Sequence, residues 1–408
     1  MNLSNMLSNT SGGGGSRLST IVWLIAGALT VVFGGILIST LTPLILPPAA
    51  SAEGQQIDEL FRFMLAIGGA IFLLVQVVLV ISVIGFRAKP GDTSDGPPIR
   101  GNTTLEFVWT IIPAIIVLVL TLYSWNVWNA IGAPKENEQT IGVTGARFAW
   151  TFNYAIDAEG LPPDFDLATL DSEVLASLEN GELNFNAPQL HTWVNQPVRL
   201  EMTTQDVNHA FWIPAMRIKQ DLLAGRTTEY RFTPIEAGVF RIVCAELCGT
   251  GHGAMAGGID PITGDLLGAW LVVWESEEQF LEQFFAPERQ VALFPPEDPV
   301  LRGRQILASG QYPCQACHVL DDLGWAGNDG PALNGIGGEA RISTRLSATG
   351  LPNMTAYLDQ SFRHPEAYLV PGFGNLMNQF NPEPDQPNYM PQEDLDAIIA
   401  YLLSQTGG

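Results

Sequence analysis

The chain has 408 residues, which leaves room for two or three domains. Apolar residues make up 47% of it and charged residues only 15%, a balance that indicates a membrane protein. The formal net charge of −23 argues against nucleic acid as a partner and permits a basic protein partner.

The first 52 residues combine a polar leader with an apolar run. Residues 1–17 are rich in Ser, Gly and Asn, and we expect them to be disordered. The run from about Leu18 to Leu46 can span a bilayer, and Ala50-Ser-Ala52 after it resembles a signal-peptidase site. Residues 1–52 are therefore a cleaved signal peptide, which we prefer, or an extra membrane anchor. Both interpretations send the following chain outward.

Two further apolar runs, about Leu60–Phe86 and Leu105–Ile131, have the length of transmembrane helices. The loop between them carries three basic residues, Arg87, Lys89 and Arg100. Residues 47–59 carry no Lys or Arg, so the positive-inside rule places the loop in the cytoplasm and the region after residue 132 outside. Residues 53–132 are thus predicted to form a transmembrane helical hairpin.

Residues 133–275 have the alternating, β-branched pattern of an all-β domain, in which Leu266–Trp274 is the closing strand. Residues 155–188 interrupt this pattern with many acids and a Pro pair, and we predict an inserted acidic loop with a short helix. His191 has no ligand partner nearby in sequence, so a structural role is favoured over metal binding.

One short segment concentrates metal ligands. Cys244, Cys248, His252 and Met255 fall within twelve residues at the end of a predicted strand, and His209 precedes another break upstream. Such soft ligands select copper, zinc or iron. A blue-copper centre has one Cys, whereas two thiolates can bridge two copper ions. A Cys244–Cys248 disulfide and a mononuclear zinc site are the alternatives.

This segment resembles the binuclear CuA loop of cytochrome c oxidase subunit II, whose pattern is C-x-E-x-C-x-x-x-H-x-x-M with an upstream His. The resemblance implies a cupredoxin-like sandwich and these copper ligands: His209, Cys244, the Glu246 backbone carbonyl, Cys248, His252 and Met255. It further implies that the Glu246 carboxylate binds magnesium at the border with subunit I.

Other segments extend the resemblance. Gly101–Pro113 is similar to the family's second helix, which implies that Glu106 lies at the mouth of a proton channel in the partner subunit. A solvated acid favouring the helix dipole is the alternative. Lys219–Arg226 matches a segment near the subunit I interface, although a plain turn remains possible. Arg147 and Phe148 stand where the family has Gln and the Trp that receives electrons from soluble cytochrome c, so direct docking of a donor there is doubtful.

The carboxy-terminal part carries a second redox motif. Residues 276–298 are acidic and Pro-bearing, and we predict a short helix followed by a semi-rigid linker. Cys314-Gln-Ala-Cys317-His318 then matches the c-type haem attachment motif, although a lone motif of this kind also occurs in zinc and redox fragments. With a helical run before it and an amphipathic segment at the end, residues 299–408 resemble an all-α class I cytochrome c domain.

The sixth haem ligand is predicted from the Met loop. Met377 matches the loop best, although Asn378 stands where Pro is usual. Met390 is followed by a Pro that suits the first turn of the last helix, and Met354 is a more distant alternative. His364 is expected to be structural, with a bis-His haem as its alternative.

A membrane hairpin, a CuA-like cupredoxin domain and a cytochrome c domain in one chain resemble subunit II of a caa-type cytochrome c oxidase. This implies electron transfer from an external donor through haem c and CuA to haem a of subunit I, with dioxygen reduction and proton pumping there. It implies subunit I and other oxidase subunits as partners, and the outer side of a bacterial plasma membrane as location. The alternatives are a CuA-bearing subunit of a nitric oxide reductase and an anchored electron relay without a catalytic partner.

Overall fold

A computed structural model describes residues 17–85, 87, 91, 101–158, 160–162, 165–259, 266–327, 329–386 and 388–407. Two of the three basic loop residues, part of the acidic insert and the expected disordered leader lie outside these ranges: Lys89, Arg100, Glu159, Pro163, Asp164 and residues 1–16. The chain divides into two compact units, Met1–Pro48 with Gln55–Ala130, and Ala49–Gly54 with Ile131–Gly408.

The first unit is helical. It contains α1 (Arg17–Ser39), the short α2 (Thr42–Ile45), α3 (Ala52–Gly85) and α4 (Thr103–Gly132). Among the described residues, three stretches are long and apolar enough to cross a membrane: Gly27–Ile45, Ala52–Ile84 and Thr103–Gly132. Their large apolar side chains are mostly exposed, as expected for surfaces that face lipid. A side chain at Gly35 of α1 would clash with the backbone of Ala66 in α3, the close approach that small residues permit between membrane helices.

The second unit contains a β-sandwich whose strands can be given in chain order. They are β1 (Gln139–Ala146), β2 (Ala149–Ala155), β3 (Asn184–Ala187), β4 (Leu190–Trp193), β5 (Val198–Thr204), β6 (His209–Ile213), β7 (Ile218–Leu222), β8 (Thr228–Phe232), β9 (Gly238–Arg241), β10 (Val243–Cys244), β11 (Gly258–Ile259), β12 (Leu266–Leu267) and β13 (Trp270–Trp274).

These strands form sheets of order β3-β2-β1-β5-β8, β4-β13-β9 and β10-β6-β7, with β11 and β12 paired separately. Alternate residues of β5 (Val198, Leu200 and Met202) are fully buried, which is the period of two expected for a strand with one face in the core. The third sheet is the one that positions the metal ligands, because it pairs β6 with β10.

The acidic insert is partly built into the sandwich. It contains helix α5 (Ser172–Glu179), whose N-cap Asp171 accepts a hydrogen bond from the Glu173 amide. Its last residues form β3, which pairs with β2, and the ring of Phe185 stacks on Tyr154. The composition indicated the short helix, whereas the added edge strand depends on burial that composition does not reveal.

The segment between the sandwich and the carboxy-terminal domain is a docked helix. It runs through α6 (Glu277–Phe280), a π-helical turn and α7 (Ala286–Leu293). Phe280, Phe284 and Leu293 are buried in the core of the sandwich. This segment is therefore more ordered than the semi-rigid linker expected from its Pro and acid content, because these three apolar residues pack into the core of the sandwich.

His191 is part of this docking surface. Its ring stacks on Phe284 with 3.8 Å between ring centroids, and the Trp274 indole N–H lies 3.3 Å from its Nδ1. Burial lowers the pKa of His191 to about 3, so the ring is neutral near pH 7. This geometry agrees with the structural role predicted for His191.

The carboxy-terminal residues form a small helical domain. It contains α8 (Pro299–Ala308), α9 (Glu339–Thr349), α10 (Met354–Arg363) and α11 (Gln392–Ser404), with a short β14–β15 pair (Val319–Leu320 and Trp325–Ala326). Helices α8 and α11 cross at Gly303, where any side chain would clash with the backbone of Ala397. Helices therefore precede and follow Cys314–His318 along the chain, and a small strand pair adds to them.

Residues 49–54 connect α2 with α3 and lie within the second unit. Backbone amides of Ala50 and Ala52 donate to the carbonyls of Ala215 and Thr233, at 2.8 and 2.9 Å. Ser51 Oγ donates to the Met216 carbonyl at 2.7 Å. These contacts tie residues on the proposed signal-peptidase site into the sandwich.

Replacing Glu53 with Ala is expected to destabilise this unit. The Glu53 carboxylate is 1% exposed, pairs with Lys135 and accepts a hydrogen bond from the Thr233 amide at 2.7 Å. Removing one partner of a buried pair typically costs 3–5 kcal/mol, and we expect about 2–3 kcal/mol here because Lys135 keeps contact with water. Urea unfolding of the full chain in detergent measures this loss. Glu236→Ala, at an exposed Glu of the same unit, is the control, and equal losses in both variants would contradict the prediction.

Candidate metal centres

The first candidate centre lies where β6, β10 and the following loop meet. Strands β6 and β10 are antiparallel with Cys244 opposite Phe211, so His209 at the start of β6 comes close to Cys244 although 35 residues separate them. Among the described residues, ligand atoms of His209, Cys244 and Cys248 lie within 4.8 Å of one another. Strand pairing, rather than sequence proximity, therefore assembles the cluster.

The other predicted ligands lie against the same two sulfurs. Cys248 Sγ is 3.5 Å from His252 Nδ1 and 3.4 Å from the Met255 sulfur. Cys244 Sγ is 3.9 Å from His209 Nδ1 and 3.2 Å from the Glu246 carbonyl oxygen. Both imidazoles thus present the Nδ1 atom to the sulfurs, and both cysteines are free thiols. Two thiols, two imidazoles and a thioether form a donor set suited to copper.

The pKa values of the two thiols are shifted in opposite directions. Burial by itself raises the pKa of Cys244, but hydrogen bonds from His209 and the Ala210 amide outweigh it and lower the pKa. Burial and the neighbouring Cys244 charge raise the pKa of Cys248 to about 12. The protein alone therefore makes Cys244 the more acidic of the two thiols, and a bound cation would stabilise both as thiolates.

Asp206 orients one of the ligands. Its Oδ1 lies 2.9 Å from His209 Nε2 and also accepts the Val207 amide at 2.7 Å. Burial raises the pKa of Asp206, but these hydrogen bonds and that of the Arg147 amide lower it to about 2. The carboxylate thereby holds the proton on Nε2 and leaves Nδ1 free for a metal. Sequence reasoning did not single out Asp206, although its position three residues before His209 was the available signal.

Aromatic residues support the loop. The Trp150 indole N–H donates to the Met255 carbonyl at 3.1 Å, and Trp150 lies edge-on to His209. Phe148 is only 6% exposed, and a side chain at Gly251 would clash with its ring. Phe148 therefore packs directly under the ligand loop, which agrees with the packing role expected of most aromatics in this strand.

Several residues singled out by the resemblance lie on the surface. The Glu246 and Glu106 side chains are exposed, and so are Lys219, Asp221 and Arg226. Glu106 Oε1 accepts a hydrogen bond from the Asn102 amide at 3.3 Å, in the first turn of α4. This capping geometry fits the helix-dipole interpretation of Glu106 and leaves its channel role a prediction.

The second candidate centre is a cavity in the carboxy-terminal domain. Its lining contains Cys314, Cys317, His318 and Met377. Met390 is fully buried in the domain core, where Met354 is buried too, and the His364 side chain is 62% exposed beside Glu366. Among the alternatives for the sixth ligand, Met377 is thus the one that the fold brings to the cavity with His318.

His318 is oriented for coordination. Its Nδ1 lies 2.8 Å from the Pro331 carbonyl oxygen, which accepts the ring proton and leaves Nε2 free. Burial lowers the pKa of His318, so the ring is neutral. A Cβ at Gly330 would lie 2.8 Å from the His318 ring, so glycine is needed for the supporting loop to approach this closely.

The cavity wall suits an anionic, largely apolar group. Burial, with the Cys317 charge, raises the pKa of Cys314 to about 12, so this thiol is neutral. Arg345 also lines the cavity, and its buried Nε has no hydrogen-bond partner among the described residues. An unpaired buried guanidinium N–H requires an acceptor, such as a carboxylate. Covalent haem would supply both a flat, apolar ring system and carboxylates.

Comparisons with known proteins agree with the first centre. The family model for the transmembrane domain of cytochrome c oxidase subunit II matches residues 39–127, and that for its periplasmic domain matches residues 139–262. Cytochrome c oxidase subunit 2 of Synechocystis is 36% identical over 235 residues, which are 52% of this chain and 70% of that protein.

Two further relatives extend the comparison. Cytochrome c oxidase subunit 2 of Alkalihalophilus pseudofirmus is 28% identical over 359 residues, covering 86% of this chain and 88% of that protein. The solved periplasmic domain of cytochrome oxidase subunit II of Bradyrhizobium japonicum is 24% identical and covers 38% of this chain and 96% of that one, with a TM-score of 0.26.

The family match and the His209–Cys244–Cys248 cluster together indicate a copper site of the CuA type on a membrane-anchored, outer domain. The relatives bear the names of oxidase subunits, which favours an oxidase over the nitric oxide reductase alternative and over a relay without a catalytic partner. The chain belongs to the cytochrome c oxidase subunit II family and is a subunit of a haem-copper oxidase.

Proposed function

We propose that this chain is subunit II of a caa-type oxidase, in which residues 299–408 carry covalent haem c. The observation that carries the proposal is the cavity that joins both cysteines of the attachment motif with a neutral His318 and with Met377. The thiols would form thioether bonds to the haem, and His318 and Met377 would be its axial ligands. Bound haem c supplies one-electron redox chemistry.

The alignment with the Alkalihalophilus protein supports the same organisation. An alignment that covers 86% of the chain does not fit within residues 1–298 and therefore extends into the carboxy-terminal domain. At least part of residues 299–408 thus aligns with a protein named as an oxidase subunit, which supports the proposal.

The copper ligands that we propose are His209, Cys244, the Glu246 carbonyl, Cys248, His252 and Met255. In this chain Asp206 orients His209 by a hydrogen bond, and the Trp150 indole N–H donates to the Met255 carbonyl of the ligand loop. The proposed ligands would hold copper, which would supply one-electron redox chemistry at this site. The exposed Glu246 carboxylate is free to bind magnesium at the border with subunit I.

The proposed route of electrons is supported by the position of residues 299–408 against the sandwich. Thr151 Oγ1 of β2 donates to the Gly310 carbonyl at 2.6 Å, and a cleft is lined by Phe148 and Met255 on one side and by Gln315 and Ala316 on the other. The fused domain thus covers the surface around Phe148. We propose that an external donor reduces the haem domain, which passes electrons to the copper pair and on to haem a in subunit I.

The carboxy-terminal domain, which would receive electrons from the donor, is acidic. Residues 299–408 contain five Arg, no Lys and eleven Asp or Glu residues, so the domain attracts a basic donor such as a soluble cytochrome c. We place the domain on the outer side of a bacterial plasma membrane and retain Glu106 as the proposed proton-channel residue. Dioxygen reduction and proton pumping take place in subunit I.

The test is a metal count on the full chain, purified in detergent after haem maturation and copper loading. We expect two copper ions per covalent haem and a low-temperature EPR signal from one unpaired electron shared over both copper nuclei. A single localised copper, bound zinc or a Cys244–Cys248 disulfide contradicts the copper assignment. Copper without covalent haem contradicts the fused cytochrome.

A further inference from the structure

Arg147 occupies the tip of the hairpin that joins β1 to β2. Its backbone N–H and its Nε both donate to Oδ2 of Asp206, at 2.9 and 3.2 Å. The other oxygen of the same carboxylate lies 2.9 Å from His209 Nε2. Arg147 is therefore one hydrogen-bonded residue away from a proposed copper ligand.

The same side chain also reaches the proposed haem site. The cavity is otherwise lined by residues from Leu307 onward, and Arg147 is the one contribution from the cupredoxin domain among the described residues. It shares this wall with Cys317, His318 and Asp329, and Asp329 is close enough to Cys317 to help raise its pKa after burial. Arg147 thus contacts Asp206 beside the copper ligands and also lines the proposed haem cavity.

Elsewhere along the boundary, Ala316 and Cys317 pack against the core of the sandwich, and Thr151 donates a hydrogen bond to the Gly310 carbonyl. Phe148 and Met255 face Gln315 and Ala316 across an open cleft. The Arg147–Asp206–His209 series, in contrast, is continuous in hydrogen bonds from the haem cavity to the copper ligand. The family resemblance gives Gln at position 147, which has neither the charge nor the reach of Arg.

We infer that Arg147 is a positioning residue shared by the two redox centres, which orients His209 through Asp206 and places a positive charge on the wall of the haem cavity. This inference rests on the proposed haem c function. A cation near a redox centre stabilises its reduced form, because reduction adds one negative charge, and solvent screens part of this effect because the Arg147 side chain is 43% exposed. Arg147 should therefore raise both reduction potentials.

The test compares variants of the full chain loaded with copper and haem. In Arg147→Gln we expect both midpoint potentials to fall by about a tenfold change in the reduction equilibrium, which is ~59 mV for a one-electron couple. The copper hyperfine pattern should also change, because Asp206 loses its side-chain partner and His209 is held less firmly.

Companion variants separate the two roles. Arg147→Lys keeps the charge but not the Nε contact, so it should restore the haem potential while the copper spectrum stays altered. Asp206→Asn removes a negative charge beside His209, so the copper potential should rise while the haem potential changes little. Arg199→Gln is the matched control, because Arg199 pairs with Glu201 and Glu229 and does not line the haem cavity; both potentials should stay unchanged.

The contrary outcomes are distinct. Unchanged potentials and an unchanged copper spectrum in Arg147→Gln overturn the inference while the haem c function stands. A shift at copper alone overturns the shared role, because Arg147 then acts only on Asp206. Wild-type chain that carries no covalent haem overturns the proposed function and this inference with it. The backbone amide of residue 147 keeps its hydrogen bond to Asp206 in both Arg147 variants. If Arg147→Gln does not fold, Arg147→Lys provides the readout.

Discussion

Replacing Cys244 and Cys248 together with Ser is expected to remove copper from the chain while covalent haem stays at its full level. Serine has the size of cysteine but offers a neutral, hard oxygen that does not bridge copper ions. Loss of an outer-shell partner alone lowers metal affinity about 10–100-fold, so loss of both bridging ligands should exceed 100-fold. Copper analysis and EPR measure the loss directly, and oxygen consumption by the intact oxidase should fall with it.

The sandwich itself should survive this change. The two side chains are small, and the core around them is formed mostly by large apolar residues such as Phe211, Ile213 and Trp150. Circular dichroism and the haem content of the same preparation are the controls. Retention of both coppers in the double variant would show that the ligands lie elsewhere in the chain.

Replacing Cys314 and Cys317 together with Ser should give the reciprocal result, which is loss of covalent haem with the copper pair intact. These are the other two of the four cysteines, so the two double variants are matched in chemistry. A ligand that binds only the folded state stabilises that state by about 4 kcal/mol when its free concentration is a thousand times its Kd. We expect covalent haem to contribute at least as much to the stability of this domain. Haem staining on a denaturing gel and thermal unfolding of the domain measure the two effects.

Two single substitutions sharpen the assignment of axial ligands. Met377→Leu should keep both thioether bonds but abolish the near-infrared band of Met-ligated ferric haem, whereas Met390→Leu should leave that band in place, because Met390 lies in the domain core. His318→Leu should prevent normal haem coordination, and His364→Leu, at an exposed His, should not. Loss of the band in Met390→Leu alone would reverse the assignment.

The docked helix α6–α7 changes how the two centres are brought together. A flexible tether raises the effective concentration of one domain near the other but leaves their orientation open. Here Phe280, Phe284 and Leu293 anchor the connecting segment in the sandwich, and Thr151 bonds to Gly310 across the boundary. The orientation of the proposed haem cavity relative to Arg147 is therefore set by packing.

The sequence by itself determined the features that depend on short spacing or composition. The apolar runs predicted the membrane helices, because span length and hydropathy suffice for that assignment. The spacing from Cys244 to Met255 predicted a soft-metal loop, and Cys314–His318 predicted a haem motif, because each ligand set lies within a few residues. The family resemblance supplied His209, which no local spacing connects to the loop.

Only the tertiary structure decided the contacts between distant residues. The pairing of β6 with β10 brings His209 to Cys244, while His191 is packed against Phe284 by a helix that looked like a linker. The same folding places Arg147 and Asp206 between the two centres, although neither stood out as a ligand or relay from its neighbours in sequence. Side chains separated by tens of residues meet through strand pairing and core packing, and these depend on the whole domain rather than on any one motif.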